Sequence, residues 1–163
     1  MMREDHIAPA TRRRFLIDTA ALAGAAGFGL SLAIRPASAT PASMRAAIRR
    51  VVGEASVKKG RLKIDLPPLI ENGNAVPLTV AAESPMTADN YVKAIHVFTE
   101  KNPQPNIISV QLGPRAGKAE IQTRVRLADT QSVVAICELS DGSFWSDKVD
   151  VIITLGACLE DLP

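Results

Sequence analysis

The stretch AEIQTRVRL, residues 119–127, decides the fold class. Ala119, Ile121, Thr123, Val125 and Leu127 fall on one side of an extended chain, and Glu120, Gln122, Arg124 and Arg126 on the other. Successive side chains of a strand point to opposite faces, so this period of two marks a strand with one buried and one solvated face. The same pattern recurs in both directions. Upstream, Leu62, Ile64 and Leu66 alternate with polar neighbours until Pro67-Pro68 ends the run, and Asn72-Gly73 marks a turn. Val76, Leu78 and Val80 form the next strand, where Pro77 predicts an edge position. Tyr91–Phe98 is a denser apolar run, and Asn102-Pro103-Gln104-Pro105 separates it from Ile107–Leu112. Downstream come Val133, Ala135, Cys137 and Leu139, an Asp141-Gly142 turn into Phe144-Trp145, and then Val149, Val151, Ile153 and Leu155.

About seven short strands with turn signals between them and no interleaved helices predict an immunoglobulin-like antiparallel β-sandwich. One helix precedes it. Thr40 is a suitable N-cap with Pro41 at the first helical position, and Met44, Ala47, Ile48 and Val51 fall on one face of a short amphipathic helix. Gly53 is placed to stop it. The last strand is expected to end near Leu155, leaving residues 156–163 as a flexible C-terminal arm.

Residues 1–39 read as an export leader. Arg12-Arg13-Arg14 precede Phe15-Leu16, a weakly apolar stretch runs from Ile17 to Ile34, and Ala37-Ser38-Ala39 gives the small-x-small site that signal peptidase accepts. Arg-Arg-x-Phe-Leu is the twin-arginine pattern, used by proteins that cross the membrane folded, so the expected location is the periplasm. A membrane anchor is the competing reading, but Asp18 and several glycines are poor for permanent insertion. The expected organisation is therefore a leader over 1–39, a helix and linker over 40–60, a sandwich over 61–155 and an arm over 156–163.

Composition narrows the function. The 163 residues carry a formal net charge of +2, but five of the 19 Lys/Arg and three of the 17 Asp/Glu lie in the leader. The remaining 124 residues carry 14 of each sign, so a net charge gives no reason to seek nucleic acid, or a membrane after leader removal. Aromatic residues are 4% of the chain, which argues against base-stacking platforms and ring-lined haem or flavin pockets. Two cysteines and two histidines are too few for a closed zinc site, and no GxSxG or glycine-rich phosphate loop occurs, so no metal or catalytic constellation is expected. His96 reads as a hydrogen-bonded histidine on a sheet, and Asp147 and Asp150 as outward, solvated carboxylates.

Cysteine is the informative residue type. Cys137 shares the inward face of its strand and should behave as a small buried hydrophobe. Cys158 follows a Gly156-Ala157 step close to the chain end, where no core shields it. An accessible thiol in an oxidising compartment is oxidised or mispaired unless it has a use. A Cys137–Cys158 disulfide is the structural alternative, and it requires Cα atoms within about 7 Å.

LPPLIENGNAVPLTV at 66–80, SPM at 84–86, VKAIHVFTEKNPQP at 92–105 and RLADTQSVVAICELSDGSFW at 126–145 together resemble the SoxY family. The resemblance spans nearly all of 61–155 and the leader. It implies the sulfur-carrier subunit of a periplasmic thiosulfate-oxidising system: an immunoglobulin-like domain, itself not an enzyme and without a cofactor. Such a domain pairs with a SoxZ-like subunit and holds sulfur intermediates covalently on a C-terminal cysteine for partner enzymes and cytochromes. By position that role falls on Cys158. The family's arm reads Gly-Gly-Cys-Gly-Gly, whereas here Gly156, Ala157, Leu159 and Glu160 flank the thiol, closer to related proteins reading Ala-Ala-Cys-Ile-Glu.

The altered arm has physical consequences. From Leu155, three residues reach at most about 10 Å. Leu159, Leu162 and Pro163 make the tip bulkier than glycines would, so a receiving pocket has to be wider or partly apolar. Glu160 and Asp161 each oppose a sulfur anion by roughly 0.5 kcal/mol in water, which is not disabling. Two further readings stay open: an exported interaction module, and a thiol–disulfide switch. A carrier repurposed to serve a quinoprotein dehydrogenase is a variant of the carrier reading itself.

Overall fold

The computed structural model describes residues 38–157. Helix α1 spans Pro41–Val52, with Thr40 extended at the N-cap. The Thr40 hydroxyl accepts from Ser43 N at 3.1 Å and Ser43 Oγ accepts from Thr40 N at 2.7 Å, so two end donors are satisfied reciprocally. Gly53, at φ 60°, ends the helix and donates its N–H to Arg49 O at 2.8 Å. Met44, Ala47 and Val52 are buried against Phe98, Ile136 and Phe144, which form a small core on the outer face of the larger sheet. That contact supplies the cover that the helix's apolar face requires.

Nine strands follow among the described residues: β1 Val57–Lys59, β2 Leu62–Asp65, β3 Leu69–Asn72, β4 Val76–Ala82, β5 Val92–Thr99, β6 Asn106–Gln111, β7 Ala119–Val125, β8 Gln131–Leu139 and β9 Phe144–Leu155. One sheet has the order β1-β9-β8-β5-β6, with β3 also pairing to β9; the other has the order β2-β4-β7. The two sheets face each other across the main core, where Leu78, Val80, Ile95, Val97, Leu127, Val133 and Val151 are almost fully buried. Each such side chain contributes roughly 1.5–3 kcal/mol through burial. The result is the expected immunoglobulin-like sandwich, antiparallel in its main pairings, with the helix as a third layer.

Three details differ from the sequence expectation. β1 and β3 add to β9 in parallel near its two ends, where a linker and a turn region are expected. Pro77 lies in the central strand of the smaller sheet, yet β2 pairs only with residues 79–82. The Pro77 segment is therefore locally an edge, and a residue without an N–H is tolerated there. Asp147, expected to be solvated, is half-buried and accepts from Ile64 N at 2.8 Å, which links the two sheets. Asp150 does lie outward, held by Ser132 Oγ and by Lys148 at 3.2 Å.

Candidate functional site at the arm base

β9 delivers the chain to its C-terminal end, and three backbone hydrogen bonds fasten it there. Gly73 N donates to Leu155 O at 2.7 Å, Leu127 N to Gly73 O at 2.8 Å, and Ala157 N to Leu127 O at 2.9 Å. Gly73 sits where these segments converge, and a Cβ there would lie 2.2 Å from Leu127 O. The requirement for glycine is therefore close backbone approach. Ala157 is 1% exposed. Gly156 and Ala157, expected to open the arm, are thus held at the sandwich. Cys158, Leu159 and Glu160 lie outside the described residues.

A polar cluster backs this junction. Asn102, buried, accepts at Oδ1 from Ala128 N at 3.0 Å and Gln131 Nε2 at 3.1 Å, and donates from Nδ2 to Arg126 O at 2.7 Å. Its carbonyl accepts from Ala39 N at 2.8 Å, so Ala39, the expected last leader residue, is tucked into the fold. Thr130 Oγ1 accepts from Ile153 N at 2.9 Å and fixes the end of β9. The loop between β7 and β8 is further tied by Lys101 Nζ to Asp129 Oδ2 at 2.7 Å, which with the Thr130 N–H holds the Asp129 carboxyl below the ordinary range. Sequence reasoning did not single out Gly73 or Asn102 for this junction; the only signals are an Asn-Gly turn and a Pro-rich loop, neither of which names its distant partners.

Cys137 is far from this place. It is buried on the inward face of β8, in register with Ile95 and Trp145, and its thiol is free. Desolvation pushes its pKa up to about 11, against weaker lowering by backbone hydrogen bonds. Cys137 lies level with Trp145, ten residues before Leu155 on β9, or about 33 Å of strand. Ala157 is pinned at the other end. The other member of the expected Cys137–Cys158 alternative, Cys158, lies outside the described residues. His96 is half-buried, its Nδ1 2.8 Å from Ser109 Oγ, and burial lowers its pKa despite an opposing pull from Glu138. Among the described residues no three His, Cys, Asp or Glu side chains converge as metal ligands, and no helix is long and apolar enough to cross a membrane.

Among the described residues, a two-sheet sandwich covered by one helix has the segment after β9 fastened through Ala157 to the residues around Gly73 and Leu127. The family model "Sulfur oxidation protein SoxY" matches residues 48–158, and the chain belongs to that family. Among solved structures it is similar to the sulfur carrier protein SoxY from Chlorobium limicola f thiosulfatophilum, at 27% identity and TM-score 0.60, covering 71% of this chain and 100% of that one. It is also similar to the superoxide reductase (neelaredoxin) from Ignicoccus hospitalis, at 16% identity and TM-score 0.51, covering 71% of this chain and 94% of that one. The superoxide reductase from Nanoarchaeum equitans, at 10% identity and TM-score 0.50, covers 59% of this chain and 100% of its own. These last two likenesses concern the fold alone. No curated protein matches the sequence.

Proposed function

We propose that the chain is a periplasmic carrier that holds a sulfur-containing group covalently on Cys158 and presents it to partner enzymes of thiosulfate oxidation. The supporting observation is a coincidence of boundaries. Family similarity runs through residue 158, and the backbone clamp runs through Ala157. The anchored chain there means that a partner meets the end of the sandwich and accommodates Leu159 and Glu160.

The chemistry sets the partners. Joining a thiol to the outer sulfur of thiosulfate through a new S–S bond releases one proton and two electrons, so the step needs an oxidant. A cytochrome is the partner class that accepts those electrons, and hydrolytic enzymes release the oxidised product. The carrier supplies one thiol and no cofactor, and a SoxZ-like subunit is its partner in a heterodimer. Export by the twin-arginine route rests on Arg12–Leu16 and Ala37–Ala39. The non-glycine arm favours a second cargo as the variant reading, with the same thiol serving a quinoprotein dehydrogenase.

Cys158→Ser in the native host is the test. Thiosulfate consumption should be lost while the purified variant keeps its β-sheet circular dichroism. Undiminished oxidation by a folded variant would overturn the carrier role and favour an interaction module.

A further inference from the structure

The charge balance of the chain beyond the leader hides a strong segregation. Residues 40–63 carry seven cations (Arg45, Arg49, Arg50, Lys58, Lys59, Arg61 and Lys63) against Glu54 alone, a net of +6. Residues 64–163 carry seven cations and thirteen carboxylates, a net of −6. The structure gathers much of the positive set in one place. α1 carries Arg49 and Arg50 in its last turn, and its Ile48 and Val51 share the small core with Val57 of β1. Lys58, Lys59, Arg61 and Lys63 are all exposed on β1, β2 and the corner between them. None has a carboxylate within 4 Å among the described residues. Asp141, in the β8–β9 turn, is near enough for Lys58 and Arg61 to help lower its pKa, after the larger effect of its Ser143 hydrogen bonds.

An aromatic ring lies in the middle of these cations. Trp145, the only tryptophan in the chain, has Lys58 Nζ 5.4 Å and Arg61 Cζ 5.1 Å from its ring centroid. It is half-buried, packs against the main core and donates from Nε1 to Ser143 Oγ at 3.1 Å. The Gly60-Arg61 corner carries the chain from one sheet to the other, and Arg61 takes φ 53° there, a left-handed conformation that disfavours any residue but glycine. Arg61 thus holds its guanidinium over the ring from a backbone conformation that glycine would adopt with less strain.

We propose that this basic pole, centred on Trp145, Lys58, Lys59, Arg61 and Lys63, is a docking surface for a carboxylate-rich face of a partner protein. Charge complementarity argues for the occupant, and an aromatic flanked by arginine is the composition of a protein interface centre. A lipid surface fits less well: the large hydrophobic side chains that are exposed among the described residues are Leu69, Ile152 and Leu155, near the other end of β9. Trp145 and Leu155 stand about 33 Å apart along β9, so a partner docked here leaves the arm end open. The proposal does not depend on the chemistry of Cys158.

The experiment titrates the leaderless chain with poly-L-glutamate at low ionic strength and follows Trp145 fluorescence. A saturable change, reversed by salt, should weaken about tenfold in Lys58→Gln/Lys59→Gln and in Arg61→Gly. Arg61→Gly should fold at least as well as wild type, since its backbone strain is relieved. Arg124→Gln, an exposed charge on β7, should titrate like wild type. No fluorescence response, or an equal loss in Arg124→Gln, would overturn the proposal. So would an equal response to sodium sulfate at matched charge, which marks a small-anion site. Binding to phosphatidylglycerol vesicles that is lost in Arg61→Gly, without binding to polyglutamate, would assign the pole to membranes. Salt-sensitive self-association of the chain, lost in Arg61→Gly and without polyglutamate binding, would assign it to a second copy.

Discussion

A Cβ on Gly73 would lie 2.9 Å from the backbone nitrogen of Ala157, so the turn after β3 and the start of the arm touch through bare backbone. Gly73→Ala has to open the clamp. The Ala157 N–H and Leu127 O then lose a buried partner, a loss of about 1–3 kcal/mol. Urea denaturation should show that decrease, and amide exchange at Ala157 should accelerate more than exchange in the β8 core. Unchanged protection at Ala157 would mean that the clamp does not hold the arm base.

Asn102→Ala removes three side-chain hydrogen bonds from a buried position and leaves Ala128 N and Arg126 O unpaired. A loss of about 2–4 kcal/mol is expected in chemical denaturation. The effect should spread to the arm base, because Arg126 and Ala128 flank Leu127, the acceptor for Ala157.

Cys137 should give the fold a distinct alkaline dependence. Its folded pKa, about 11, lies above the ordinary value of 9.0, so the unfolded chain releases the thiol proton first. Stability from this group is complete below pH 9 and is lost as pH rises from about 9 to 11, by roughly 2–3 kcal/mol. Denaturation curves of wild type and Cys137→Ala should diverge in slope over that window. Parallel curves would contradict the burial of the thiol.

Asp147→Ala should separate the sheets locally. Ile64 N loses a charged acceptor in a half-buried place, and about 1–2 kcal/mol of stability should go with it. Asp150→Ala, an outward residue, should cost less. Equal effects would show that the link from β2 to β9 carries no special weight.

Much of this architecture was legible in the residues, for local reasons. The Thr40-Pro41 cap, the 119–127 alternation and the end of the last strand at Leu155 each depend on neighbours in sequence. β1 and β3 were not legible. They are three and four residues long, and their partner on β9 lies more than eighty positions away. A strand that short has no period to read. Asp147 was misjudged because alternation says which way a side chain points, but not that β2 brings Ile64 N to meet it. The basic pole was present in the sequence and vanished when the charges were summed. The buried character of Cys137 followed from its neighbours, whereas its distance from the arm base needed the register of β8 on β9.

The most direct measurement is the mass of the cysteine peptides from protein taken, without reductant, from the periplasm of cells oxidising thiosulfate. The Cys158 peptide should be heavier by one or more sulfur atoms, with the addition released by a thiol reagent, and the Cys137 peptide should be unmodified. Cys158 found only as a free thiol, or joined to Cys137, would contradict the carrier.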